Sequence, residues 1–66
     1  MLDNNLYNLN AQLIEESRSL WRIRDTYVKD AKECNECSAF WKKMQRDKEE
    51  HISDLKRLIA EHLKEQ

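Results

Sequence analysis

From Leu6 onward, apolar side chains recur at steps of three and four residues through Leu9, Leu13, Leu20, Tyr27 and Ala31. That is the period of an amphipathic helix sustained for about seven turns, and it predicts a first helix over residues 6–31. The pattern lapses between Asp30 and Ser38. It then resumes through Cys37, Trp41, Met44, Lys48, His51, Leu55, Leu58 and His62, and Phe40, Ile52, Ile59 and Leu63 widen the stripe. A second helix is predicted over residues 36–64, with a turn at 32–36. Asp3 or Asn4 is the expected N-cap of the first helix and Asn35 that of the second, because short polar side chains satisfy free amides at a helix start. One continuous helix is the competing arrangement, since neither Gly nor Pro enforces a stop.

Two segments of similar length joined by a short turn predict an all-α fold, an antiparallel two-helix hairpin. The apolar stripes are wider than one hairpin needs. Ile14, Trp21 and Val28 on one helix and Ile52, Ile59 and Leu63 on the other are left as an outer surface. That surplus predicts a homodimer in which two hairpins close into a four-helix bundle.

Composition narrows the picture. A chain of 66 residues makes a single domain, and domains this small usually need a staple or a partner to be stable. The absence of Gly and Pro disfavours turn-rich β architectures, and a hydrophobic content of 39% with five aromatic residues disfavours a disordered tail. Twelve basic and thirteen acidic residues give a net charge of −1, so no basic field for nucleic acid exists, and acids and bases alternate as on solvated helix faces. The aromatic residues therefore read as packing groups or protein-binding anchors rather than base-stacking platforms. No run of 18 apolar residues predicts a membrane span. Met1-Leu2-Asp3-Asn4-Asn5 lacks the features of a secretory signal, so a cytoplasmic location with reduced thiols is expected.

The stripes carry polar residues where a uniform core would have Leu. With Leu13 at zero and 100° per residue, Ser17 and Arg24 fall on the first stripe and Glu16 on its border. Closing the hairpin near residue 34 opposes Tyr27 with Trp41, Arg24 with Met44, Leu20 with Lys48, Glu16 and Ser17 with His51, and Leu13 with Leu55. Glu16, Ser17, Lys48 and His51 then form a polar core layer, in which an ion pair from Glu16 to Lys48 or His51 offsets the cost of burying charge.

This arrangement resembles the ferritin-like superfamily, in particular rubrerythrin-type half-bundles. The segment Asp47-Lys48-Glu49-Glu50-His51-Ile52-Ser53-Asp54-Leu55 is similar to the second-helix segment of that family, and Glu15-Glu16-Ser17 lies at the corresponding depth of the first. The resemblance implies Glu16 and His51 as metal ligands for iron or manganese. Three residues before His51, where the family places Glu, this chain has Lys48, whose cation opposes a metal. The resemblance thus implies the bundle without an intact di-metal centre.

Cys34-Asn35-Glu36-Cys37 is the one compact reactive spacing. It supplies half of a four-thiolate zinc site, and at a hairpin tip it resembles the zinc hook, in which two chains share one zinc, though without that family's proline. Alternatively, the first turn of the second helix lowers the Cys37 thiol and makes a redox pair, or Cys37 is a small buried apolar group beside Trp41 and Cys34 has no role. His62 reads as a polar residue at the helix end. No nucleophile, His and acid set points to hydrolysis. The expectation is a structural or protein-interaction module acting as a homo-oligomer without a required cofactor, and an enzyme with the redox chemistry the ferritin-like resemblance implies is disfavoured by Lys48. Metal binding through Cys34 and Cys37, or through Glu16 and His51, is the alternative.

Overall fold

The computed structural model describes residues 4–64. A first rod is built from α1 (Asn4–Arg22), one π-helical turn (Ile23–Tyr27) and the short α2 (Val28–Asp30), and a second from α3 (Asn35–Lys64). The Arg22, Tyr27 and Val28 backbones all lie in the right-handed helical region, so the first rod is continuous. The two rods pack as an antiparallel all-α hairpin measuring 50 × 16 × 13 Å. Its length is set by the 30 residues of α3, about 45 Å at the usual helical rise. Asp3, the alternative first cap, lies outside the described residues.

The reversal is made without glycine. Ala31 ends α2 at φ −93° and ψ 5°, the bridge region that ordinary residues reach without strain from a left-handed backbone. Lys32 N–H donates to the Lys29 carbonyl at 3.3 Å, and Cys34 N–H to the Ala31 carbonyl at 2.9 Å. No described residue has a positive φ. The chain therefore turns at 31–34, slightly before the expected 32–36, and the continuous-helix alternative is excluded.

The inner face of the first rod follows Leu6, Leu9, Leu13, Glu16, Leu20 and Ile23, then Tyr27 and Ala31. Up to Ile23 this is a 3.5-residue repeat, which a straight 100° wheel misplaces by about 20° per heptad. That drift corrects three sequence assignments. Ser17 and Arg24, expected on the stripe, are exposed, whereas Ile23, off the expected stripe, is the most deeply buried apolar side chain at 1% accessibility. An unbroken repeat would next bring Asp30 inward. The π turn, in which Val28 N–H donates to the Ile23 carbonyl five residues back, absorbs one residue and brings Ala31 in instead.

On α3 the half-buried positions Ser38, Trp41, Gln45, Lys48, Ile52, Leu55, Ile59 and His62 step by three and four, with Met44 and Leu58 beside them. Of the expected outer surface, Ile52, Ile59 and Val28 are half-buried, and Ile14, Trp21 and Leu63 stay exposed. Cys37 and His51, expected on the inner stripe, are exposed. Among the described residues no helix is long and apolar enough to cross a membrane.

Candidate functional site

Two places gather chemistry-bearing side chains: a polar layer midway along the hairpin and the cysteine pair at its tip. In the first, the Glu16 side chain is only 8% exposed and extends between the helices. Lys48 reaches it from α3, its Nζ 2.7 Å from Oε2, with the lysine side chain 21% exposed. His51, one turn further, brings Nδ1 to 3.1 Å from Oε1. Because an ionised carboxylate only accepts, His51 donates there through Nδ1–H. The Gln12 amide donates to the same oxygen at 3.4 Å from one turn before Glu16.

Burial by itself pushes the Glu16 carboxyl upward. The hydrogen bond and charge of Lys48, with hydrogen bonds from His51 and Gln12, outweigh it and hold the carboxyl below its ordinary value of 4.5. Among the described residues no other well-aligned donor reaches Oε2, so the Lys48 charge is what compensates it. The structure thus brings Glu16, Lys48 and His51 together and leaves Ser17 exposed beside them. Gln12 joins the set; its place four residues before Glu16 on one helix face is the signal that would have found it. Arg24 faces Glu49 at 3.8 Å rather than Met44.

At the tip, Cys34 takes the N-cap position of α3 in place of the expected Asn35. Its Sγ accepts from Cys37 N–H at 3.3 Å, and its carbonyl accepts the first helical bond, from Ser38 N–H at 2.8 Å. Both thiols are exposed and unbridged. The side-chain and backbone hydrogen bonds from Cys37, with one from the Glu36 backbone, lower the Cys34 thiol against a smaller opposing effect of desolvation. The same side-chain contact and the negative charge of Cys34 raise the Cys37 thiol. The asymmetry is the reverse of the sequence expectation, because the cap sulfur, not the residue one turn inside the helix, receives the free amide.

A concavity of ≈ 370 Å³ lies against the pair, lined by Tyr27, Asp30, Ala31 and Trp41 as well as both cysteines. Tyr27 and Trp41 stack across the hairpin at 4.8 Å between ring centroids with a 47° tilt, and Phe40 meets Trp41 edge-on at 5.1 Å. At the opposite end, the Asn5 amide lies 3.2 Å from His62 Nε2. Among the described residues no group of three or more His, Cys, Asp or Glu side chains is arranged to hold a metal ion. Compared with protein-family models, with curated proteins and with solved structures, the chain matches none.

Proposed function

We propose that this chain is a small structural or protein-interaction module that works as a homodimer, two hairpins closing into a four-helix bundle. The incomplete core of the single hairpin carries the reading. Among the described residues Ile23 alone is a fully buried apolar side chain, while Tyr7, Ile14, Trp21, Phe40 and Leu63 each keep more than half of their surface in water. The hairpin exposes 5302 Å², against about 4,450 Å² for a compact monomer of its mass. The excess, roughly 850 Å², is close to the share one partner contributes to a standard interface, about 800 Å².

A second copy is the occupant the pattern favours. Tyr7, Ile14 and Trp21, all exposed, recur every seven residues on α1 ahead of the π turn, the spacing of a seam between supercoiled helices. A twofold axis presents the same seam to itself. A net charge of −1 opposes such an approach very little. The carboxylate that a ferritin-like site would offer to iron or manganese is already engaged by Lys48, so this reading includes no metal in the polar layer and assigns no catalytic residue.

Sedimentation equilibrium across the micromolar range tests it. The expected mass is twice the 8.0 kDa of the chain. Ile14→Asp and Trp21→Asp are expected to give helical monomers. A wild-type monomer over the whole range overturns the proposal, and a dimer indifferent to both substitutions overturns this face as its interface.

A further inference from the structure

We propose that Cys34 and Cys37 form a dithiol site at the hairpin tip that reduces an exposed disulfide of a peptide or protein, with Cys34 attacking and Cys37 resolving. The proposal stands apart from dimerisation, because it uses one chain and the end of the hairpin. Three observations carry it.

The first is the fixed position of the attacking sulfur. All three polar groups of Cys34 are engaged: its N–H with the Ala31 carbonyl at 2.9 Å, its carbonyl with Ser38 N–H at 2.8 Å, and its sulfur with Cys37 N–H at 3.3 Å. The sulfur thus accepts a free amide at the start of a 30-residue helix, where negative charge is stabilised. The second is the division of labour between the thiols. Cys34 is the more acidic and Cys37 the less acidic of an exposed pair, as an attacking and a resolving thiol require. Cys34 caps α3 and Cys37 lies in its first turn, so their Cα atoms are one helical turn apart, about 5 Å, within reach of a disulfide. The third is the concavity of ≈ 370 Å³, which Trp41 and Tyr27 wall with aromatic surface beside both sulfurs. It gives the chain flanking a substrate disulfide an apolar surface to lie on. Asp30 on the same rim disfavours anionic substrates.

The exchange balances. The Cys34 thiolate attacks one sulfur of the substrate; the Cys34–substrate bond forms, the substrate S–S bond breaks, and the first substrate thiolate leaves with the electron pair. Cys37 gives its proton to water and its thiolate attacks the Cys34 sulfur. The Cys34–Cys37 bond forms and the second substrate thiolate leaves. The dithiol loses two electrons and the substrate disulfide gains them, and the two protons lost by the cysteines match those taken up by the two substrate thiolates.

The test mixes the reduced full chain with one equivalent of 4,4′-dithiodipyridine, a neutral aromatic disulfide, at neutral pH, followed by absorbance and intact mass. Wild type is expected to release two thiopyridones per chain and to end as the Cys34–Cys37 disulfide, lighter by two hydrogens. Cys37→Ser is expected to release one and hold a stable adduct on Cys34. Cys34→Ser is expected to react at least about threefold more slowly than Cys37→Ser. Wild-type chains that end as mixed adducts overturn the proposal, as do equal rates for the two variants. Purified chain that carries zinc and fails to react until a chelator removes it also overturns it, in favour of a shared metal site. Both cysteines are exposed, so both variants are expected to fold; the wild-type stoichiometry decides the matter by itself if one does not.

Discussion

Lys48 holds its ammonium 2.7 Å from the Glu16 carboxylate across the hairpin, at a position where the repeat of each helix calls for an apolar residue. The acid is almost buried and the base about four-fifths so. Each therefore depends on the other, since a buried charge without its partner carries a penalty of several kcal/mol. His51 and Gln12 complete the hydrogen bonding of one carboxylate oxygen, and Lys48 alone answers the other.

The first consequence is acid lability with a definite sign. The folded Glu16 carboxyl sits below its ordinary 4.5, so its contribution to stability is fully present above that value and is lost as pH falls through the lower folded value. Denaturant titrations are expected to show wild type losing stability below about pH 4.5 more steeply than Glu16→Gln. The gap between the two proteins should close toward low pH. A gap that is constant or widens on acidification would show that the carboxylate is not stabilised in the fold.

The second concerns the pair as a unit. At the sequence level Lys48→Met reads as a mild exchange into an apolar stripe, one expected to keep the fold and even to strengthen it. The geometry reverses that expectation, because the exchange removes the ammonium 2.7 Å from Oε2 of the nearly buried Glu16. Lys48→Met is expected to destabilise the hairpin by about 3 kcal/mol at pH 7, and the double variant Glu16→Leu, Lys48→Met to recover most or all of the loss. Chemical denaturation of the three proteins gives the coupling directly. Additive losses in the double variant would mean that the two charges act independently.

How far the molecule could be read beforehand differs between its parts. An antiparallel pair of helices rises equally on both sides, so once a turn near residue 34 is set, Tyr27 must meet Trp41 and Glu16 must meet the Lys48 to His51 turn. Those juxtapositions needed only counting. The burial of Ile23 and the exposure of Ser17 and Arg24 did not follow, because a straight helical wheel accumulates error that supercoiling removes. The π turn that trades Asp30 for Ala31 has no residue signature in Ile23-Arg24-Asp25-Thr26-Tyr27. The capping role of Cys34 was hidden by its neighbour Asn35, which carries the usual capping chemistry and lies one residue too late.

Ile23 and Ile14 separate the core of one hairpin from the surface it presents. Ile23→Ala removes a side chain with 1% accessibility and is expected to cost about 2 to 4 kcal/mol, whatever the protein concentration. A domain of this length is stable by only about 3 to 10 kcal/mol, so that loss is a large fraction of the total. Ile14, 53% exposed in the single chain, has little to lose there. Ile14→Ala is expected to cost under about 1 kcal/mol in the monomer and more as dimer accumulates. Thermal melts at two concentrations distinguish them: the deficit of Ile23→Ala stays fixed and that of Ile14→Ala grows.

The two tryptophans report on the same division. Trp41 is half-buried between Tyr27 and Phe40 inside one hairpin, whereas Trp21 is 64% exposed on the face proposed to meet a second copy. Replacing either by Phe leaves the other as the sole indole. In Trp41→Phe, the emission of Trp21 is expected to shift to shorter wavelength, and its quenching by acrylamide to weaken, as concentration rises and the indole leaves water. In Trp21→Phe, the emission of Trp41 should be the same at every concentration, because its neighbours belong to its own chain. A Trp21 signal that never changes while the mass doubles would place the interface elsewhere on the hairpin, with Phe40, also exposed, the next position to substitute. A Trp41 signal that changes with concentration would show that the aromatic cluster at the tip is remade on association.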